Sequence, residues 1–113
     1  MLSTQLENAI NRAFHSAQSA QHEFFTLEHL LLALLDEQSV IDAILALGGD
    51  IAALRENTNR YLQEHSPQMD PQRSDRTTQP TIAFQRTMQR AVLHTRNAGK
   101  KEVTCLNALI AML

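Results

Sequence analysis

The chain has 113 residues and a mass of 12.7 kDa, which allows one small domain and leaves little room for a second. Ten basic and twelve acidic side chains give a net charge of −2, so the chain as a whole attracts neither nucleic acid nor an anionic membrane. Hydrophobic residues make up 43% of the sequence but form no membrane-spanning run, and one cysteine excludes an internal disulfide, so we expect a soluble cytoplasmic protein.

The first part of the chain is typical of two helices. Apolar residues recur at helical spacing from Leu6 to Ala17, preceded by Ser3 or Thr4 as the N-cap. A second helix is predicted to start near Thr26, whose hydroxyl can cap it. Leucines cover most of the circumference of this helix, which predicts that it is the buried central helix of the fold.

Two further helices follow before a change in composition. A third is predicted from about Ser39 and ends at Gly48 and Gly49, because glycine adopts the left-handed C-terminal conformation without steric cost. Asp50 then caps a fourth helix. The residues of this helix expected to face inward are Ile51, Leu54, Thr58, Tyr61 and Leu62.

Residues 66–80 contain all three prolines and one apolar side chain, Met69, which predicts a linker. After it, the apolar spacing of the first helix returns at an offset of 78 residues, with Arg90 opposite Arg12. We interpret this as a tandem duplication of a four-helix unit. The predicted fold is therefore all-α, with repeat 1 in residues 1–65, a linker in residues 66–80, and the first two helices of repeat 2 in residues 81–113.

Sites for catalysis or metal binding are poorly supported. No phosphate-binding glycine loop is present. The run from His22 to Thr26 begins like a zinc-protease motif but lacks the second histidine. Cys105 aligns with Leu27 of repeat 1, so it is predicted to be a small core residue. We therefore expect no enzyme and no metal site.

Two alternatives remain open on the residues alone. One is a metal-dependent enzyme that uses His22, Glu23 and His94, although solvent-exposed histidines at helix ends are the favoured interpretation of His22, His65 and His94. The other is a helical scaffold with a purely structural role.

The charge is unevenly placed. Residues 1–65 carry three basic and nine acidic side chains, whereas residues 66–113 carry seven basic and three acidic ones. Glu23 and Glu28 flank the start of the second helix, and Arg86 and Arg90 form an i, i+4 pair on the fifth. These groups are either solvated helix faces or a docking surface that carries both signs of charge.

The segment from His22 to Leu35, HEFFTLEHLLLALL, resembles the hallmark of the N-terminal domains of Clp/Hsp100 unfoldases. The stretch from Thr78 to Arg86, TQPTIAFQR, is most similar to the ClpA branch of that family. The resemblance covers the whole chain. It implies an eight-helix domain of two four-helix repeats related by pseudo-twofold symmetry and tethered to a hexameric ATPase ring. ATP and Mg²⁺ would bind in that ring, so no cofactor is expected in this domain.

The resemblance also implies partners. A ClpA-type domain docks the small adaptor ClpS, which delivers substrates with destabilising N-terminal residues for unfolding and degradation by ClpP. By position, the adaptor-binding residues would be Glu23, Thr81 and Arg86, with Glu28 and Arg90 nearby. The alternative is a ClpB- or ClpC-type domain that captures unfolded or modified substrates directly, in an apolar groove between the repeats. The isolated domain is expected to be a monomer.

The family domain continues through two helices that this chain lacks, so the chain is expected to be an excerpt of a longer protein. Four apolar side chains on the sixth helix would then lose part of their covering: Leu106, Leu109, Ile110 and Leu113.

Overall fold

The computed structural model describes residues 1–69 and 77–113, which form six helices and one two-stranded parallel sheet. The helices are α1 (Thr4–Ser19), α2 (Leu27–Leu34), α3 (Gln38–Ala46), α4 (Ile51–His65), α5 (Ile82–Asn97) and α6 (Cys105–Met112). The strands are β1 (Phe24–Phe25) and β2 (Gln79–Pro80). The prediction of an all-α fold is confirmed, since the sheet is only two residues long.

The helix starts follow the predicted caps. The Ser3 hydroxyl, rather than that of Thr4, accepts the Leu6 N–H at 3.1 Å, and Asp50 accepts the Ala53 N–H at 3.1 Å. Gly48 follows α3 with a φ of 81°, in the left-handed region that only glycine enters readily. Local hydrogen bonding therefore sets these boundaries.

The core forms around α2, as the leucine pattern predicts. Leu30 and Leu34 have no solvent exposure, and Val40 of α3 is equally buried beside them. On the facing side, α1 contributes small residues such as Ala9 and Ala13. Small side chains allow α1 and α2 to approach closely, which explains how the fold is packed although the chain has only four Phe, one Tyr and no Trp.

One predicted core residue is wrong. Thr58 and Leu62 of α4 are buried, but the Tyr61 side chain is 48% exposed. Its ring contacts the His65 imidazole instead, with 4.7 Å between ring centroids. The buried stripe of α4 follows the i, i+4 spacing of Thr58 and Leu62, which leaves Tyr61 at its edge.

The outer face of α6 is partly uncovered. Ile110 and Leu113 are 54% and 89% exposed, whereas Leu106 and Leu109 are half-buried. Two of these four apolar side chains are therefore exposed and two are half-buried.

The duplication is visible in the hydrogen bonds. The Ser3 N–H donates to the Val103 carbonyl at 2.9 Å, and the Thr81 N–H donates to the Phe25 carbonyl at 3.0 Å. Ser3 corresponds to Thr81 and Phe25 corresponds to Val103 at the 78-residue offset, so the two bonds are equivalent. The chain segment before the first helix of each repeat thus pairs with the segment before the second helix of the other, which is the arrangement that a pseudo-twofold axis produces.

The described ends of the predicted linker are hydrogen-bonded to residues 21–23. The Glu23 N–H donates to the Pro67 carbonyl at 2.8 Å, and the Met69 N–H donates to the Gln21 carbonyl at 2.7 Å. The Thr78 hydroxyl donates to the His22 carbonyl at 2.8 Å. The middle of the predicted linker, residues 70–76, lies outside the described residues.

Candidate functional site

The strand pair anchors two of the predicted docking residues, which are far apart in sequence, at its opposite ends. Glu23 directly precedes β1, and Thr81 directly follows β2. The Glu23 carbonyl accepts the Gln79 N–H at 3.0 Å, and the Thr81 N–H donates to the Phe25 carbonyl, also at 3.0 Å. The backbone of both residues is therefore held by the strand pair.

The starts of α2 and α5 lie side by side at this strand pair. The register places Phe25 beside Pro80, so the next residues, Thr26 and Thr81, are neighbouring N-caps. Glu28 lies in the first turn of α2, where the helix dipole favours a carboxylate. The Thr81 hydroxyl accepts the Phe84 N–H at 3.1 Å, and its own O–H remains a donor for a partner.

The two predicted arginines differ in their surroundings. Arg86 is exposed on α5, about 7 Å along the helix axis from Thr81. Arg90 lies one turn further, and its guanidinium donates to the Ala111 carbonyl at 3.1 Å, at the C-terminal end of α6. Both arginines are exposed, and Arg90 differs in that its guanidinium holds the end of α6.

Arg12 makes the same bond in repeat 1. It donates to the Ala33 carbonyl of α2 at 3.4 Å and pairs with Glu37 at 3.1 Å. Arg12 and Arg90 match at the repeat offset, and so do Ala33 and Ala111. Both partners of this bond are therefore the same residue types in the two repeats.

A chain of hydrogen bonds lies behind the strand pair. The Thr26 N–H donates to Nδ1 of His29 at 3.0 Å, and Nε2 of His29 lies 2.8 Å from Nδ1 of His22. His29 is 4% exposed and His22 is half-buried. The expectation that His22 is a solvated helix-end residue is therefore wrong, because its ring is bonded to a core histidine.

The environment makes both rings poor bases. Burial lowers the pKa of His29 to about 4, with a smaller contribution from neighbouring His22. Burial also lowers the pKa of His22. Both imidazoles are therefore neutral at physiological pH.

Metal ligands do not converge in residues 1–69 and 77–113, where no three His, Cys, Asp or Glu side chains could hold one ion. His94 is exposed on α5, and the His22 ring is occupied by His29. The alternative of a metal-dependent enzyme gains no support from these residues.

Cys105 is a core residue, as predicted, with 3% exposure. Burial raises the pKa of its thiol, which disfavours the reactive thiolate.

An apolar groove of about 750 Å³ lies between α1 and α5. The polar residues Gln89 and Arg96 line one part of it. Its apolar lining consists of Leu2, Ile10, Phe84, Met88, Val92 and Leu93. Of the helices in the described part of the chain, none is long and apolar enough to cross a membrane.

The sequence model of the Clp repeat (R) N-terminal domain family matches the chain over residues 1–113. The chain belongs to this family. A ClpA homolog protein from Fuscovulum blasticum is 36% identical over 110 residues, which are 97% of this chain and 14% of that relative. This Clp N-domain thus spans about one seventh of the relative's length.

Solved structures share the fold of this Clp N-domain. The N-domain of ClpV from Vibrio cholerae superposes with a TM-score of 0.81 at 20% identity, covering 97% of this chain and 64% of that one. A complex of a ClpV N-domain with a VipB peptide gives a TM-score of 0.78 at 19% identity, covering 97% of this chain and 66% of the other. At these identities the likeness establishes the fold alone.

Sequence reasoning missed two features of this Clp N-domain next to the predicted docking residues. One is Phe24, whose side chain is 39% exposed between Glu23 and the buried Phe25. The other is the His22–His29 pair. The seven-residue spacing of these histidines was the available signal, but only the packing of the segment before β1 onto α2 brings their rings together.

Proposed function

We propose that the chain is the recruitment domain of a ClpA-type AAA+ unfoldase and docks a ClpS-like adaptor. The adaptor would deliver substrates with destabilising N-terminal residues to the hexameric ring, for degradation with ClpP. The domain itself carries out no catalysis, while ATP and Mg²⁺ bind elsewhere in the parent protein. The identity to the ClpA homolog across nearly the whole chain supports this branch of the family.

The observation that supports the proposal is that one strand pair anchors the backbone of both Glu23 and Thr81, at its two ends. We call the surface made by Glu23, Glu28, Thr81 and Arg86 the docking surface. Its carboxylates can accept hydrogen bonds from basic groups or N–H donors of a partner. Its hydroxyl can donate or accept a hydrogen bond, and its guanidinium can bind a carboxylate. The backbone of Glu23 and Thr81 is fixed before binding, which reduces the entropy lost when a partner docks.

Arg90 has an indirect role in this proposal. Its guanidinium holds the end of α6, and its charge lies one turn from Arg86 on the same side of α5. We therefore propose that Arg90 positions α6 and adds to the local positive charge, and that Arg86 contacts the adaptor directly.

Charge reversal tests the docking surface. Arg86→Glu is expected to weaken adaptor binding about tenfold or more, which corresponds to about 1.4 kcal/mol. The matched control is Lys101→Glu, because Lys101 is exposed and occupies the position of Glu23 in the other repeat. Binding is measured by calorimetry and folding by far-UV circular dichroism. Equal adaptor affinity for Arg86→Glu and the unmodified chain, with helicity retained, would refute the assignment.

A second candidate function is direct capture of an unfolded or modified substrate, which is the alternative that a ClpB- or ClpC-type domain implies. The apolar groove favours it, since Phe84, Met88 and Val92 present hydrophobic side chains between two helices. The solved ClpV N-domain with a bound VipB peptide is a precedent for peptide binding by this fold.

One variant separates the two candidates. Met88 is half-buried in the groove and lies outside the docking surface. Met88→Asp is expected to abolish binding of an unfolded casein-like protein if the groove captures substrates. Adaptor affinity is expected to stay the same in that variant. Casein binding that survives Met88→Asp rules out the groove.

A further inference from the structure

The hydrogen-bond chain behind the docking surface has a fixed direction. Nδ1 of His29 accepts the Thr26 N–H, so the single proton of the neutral His29 ring is on Nε2. That proton is donated to Nδ1 of His22 over 2.8 Å, and the proton of His22 is therefore on its Nε2. Both rings are neutral and each has one permitted tautomer.

An additional proton breaks this chain wherever it binds. On Nδ1 of His22, it places two N–H groups against each other across the 2.8 Å contact. If His29 moves its own proton to Nδ1 to relieve that clash, the Thr26 hydroxyl at 2.8 Å can accept it, but the Thr26 N–H loses its acceptor and the capping box of α2 loses that half. Protonation therefore removes either the histidine pair or the Thr26 N–H bond of the capping box.

Charged groups from α1, from α4 and from the turn after α2 lie beside the pair. A cavity of about 470 Å³ beside the two rings is also lined by Arg12 of α1, Asp36 after α2, and Arg55 of α4. Arg12 is bonded to Glu37 at 3.1 Å and Arg55 to Asp36 at 3.0 Å, so these charges offset each other.

On the strand side, the phenyl ring of Phe25 lies 6.0 Å from the His29 imidazole, between ring centroids. The uncharged residues Gln68 and Thr78 contact His22 there, and Glu23 follows it in the chain. The two histidines therefore lie between an apolar ring on one side and charges that nearly cancel on the other.

The backbone of His22 connects this pair to the docking surface. Its N–H donates to the Ala17 carbonyl at the end of α1, at 2.9 Å, and its carbonyl accepts the Thr78 hydroxyl at 2.8 Å. Displacement of His22 therefore moves Glu23, the next residue, and disturbs Thr78, which leads into β2.

Repeat 2 has the same backbone arrangement without titratable rings. Thr104 caps α6 and shares a capping box with Asn107, whose Oδ1 accepts the Thr104 N–H at 3.0 Å. Lys100 stands in the position of His22, and its N–H donates to the Thr95 carbonyl at 3.0 Å. The Thr104 cap is thus an internal reference for the Thr26 cap.

We propose that His22 and His29 form a pH-sensitive latch, which opens on acidification and loosens the strand pair that carries Glu23 and Thr81. The latch weakens partner binding at low pH, and this last step alone rests on the proposed function.

Amide hydrogen exchange tests the latch without any partner. The protection factor of the Thr26 N–H is divided by that of the Thr104 N–H, at about pH 7.5 and at about pH 5. We expect the ratio to fall about tenfold or more in the unmodified chain. In His29→Gln it is expected to stay constant, because glutamine completes a capping box with Thr26 and does not titrate.

Parallel loss of protection at Thr26 and Thr104, or an unchanged pH response in His29→Gln, would overturn the latch. If His29→Gln lost its helical signal, His22→Gln would take its place, because His22 is only half-buried. Adaptor affinity is then compared at the two pH values, and it is expected to fall in the unmodified chain only. Absence of adaptor binding at either pH refutes the proposed function, while the exchange ratio still decides the latch.

Discussion

The Arg90 guanidinium donates to the carbonyl oxygen of Ala111, and this bond ties α5 to the C-terminal end of α6. A cationic group at that end also complements the helix dipole. Arg86, one turn earlier on α5, is exposed to solvent. The two arginines that form one i, i+4 pair in the sequence therefore have separate roles in the fold.

The Arg90–Ala111 bond predicts a difference in stability between two alanine variants. Arg90→Ala is expected to lower the free energy of unfolding by about 1 kcal/mol, because a charge-assisted hydrogen bond is lost at a partly exposed site. Arg86→Ala is expected to change it by less than about 0.5 kcal/mol. Urea denaturation monitored by circular dichroism measures both. Similar losses in the two variants would contradict the assignment of distinct roles.

Leu30 anchors the central helix and has no solvent exposure. Leu30→Ala is expected to lower the free energy of unfolding by about 3 kcal/mol, since it removes buried surface and leaves a cavity. Leu47→Ala is the matched control, because that leucine is 86% exposed. Thermal denaturation of both variants tests the burial pattern, and a comparable loss at Leu47 would be evidence against it.

The histidine pair predicts a pH dependence of global stability. Burial lowers the pKa of His29 from 6.5 to about 4, so the unfolded chain binds a proton more readily than the folded one. The contribution of His29 is complete above pH 6.5 and is lost as the pH falls toward 4. The free energy of unfolding should therefore fall by about 2 kcal/mol by about pH 5.

His29→Gln is the matched control for that measurement. It retains the cap and lacks the titrating ring, so its free energy of unfolding should vary less over the same pH range. Denaturant titrations at several pH values make the comparison. Identical pH profiles in the variant and the unmodified chain would show that His29 does not cause the pH dependence of the free energy of unfolding.

Cys105 predicts slow chemical modification. The thiol is buried and its pKa is raised, so the folded chain should react with iodoacetamide far more slowly than the urea-unfolded chain. Mass spectrometry over a time course measures both rates. Equal rates would place Cys105 at the surface and contradict its burial in the core.

Local sequence predicted most of the architecture. Ser3, Thr26, Asp50 and Gly48 mark helix ends through bonds or dihedral angles within a few residues, so the pattern around each was sufficient. The prediction that Tyr61 faces inward is wrong, because the burial of a residue at the edge of the apolar stripe depends on what packs against the helix.

The site was less predictable for the same physical reason. Glu23 bonds to Gln79, Thr81 bonds to Phe25, and Arg90 bonds to Ala111, so each of these contacts joins distant segments of the chain. The duplication offset indicated that such residues correspond, but it could not indicate which atoms bond. The pairing of His22 with His29 likewise depends on how the chain turns before β1.

Glu23→Lys is the sharpest test of adaptor docking at the strand pair. Glu102→Lys is the matched control, because it makes the same charge change at an exposed residue beside the equivalent Leu2–Val103 pairing. Calorimetric titration with a ClpS-type adaptor is expected to give at least about tenfold weaker binding for Glu23→Lys and unchanged binding for Glu102→Lys. Unchanged adaptor affinity in a fully helical Glu23→Lys variant would refute adaptor docking at this surface.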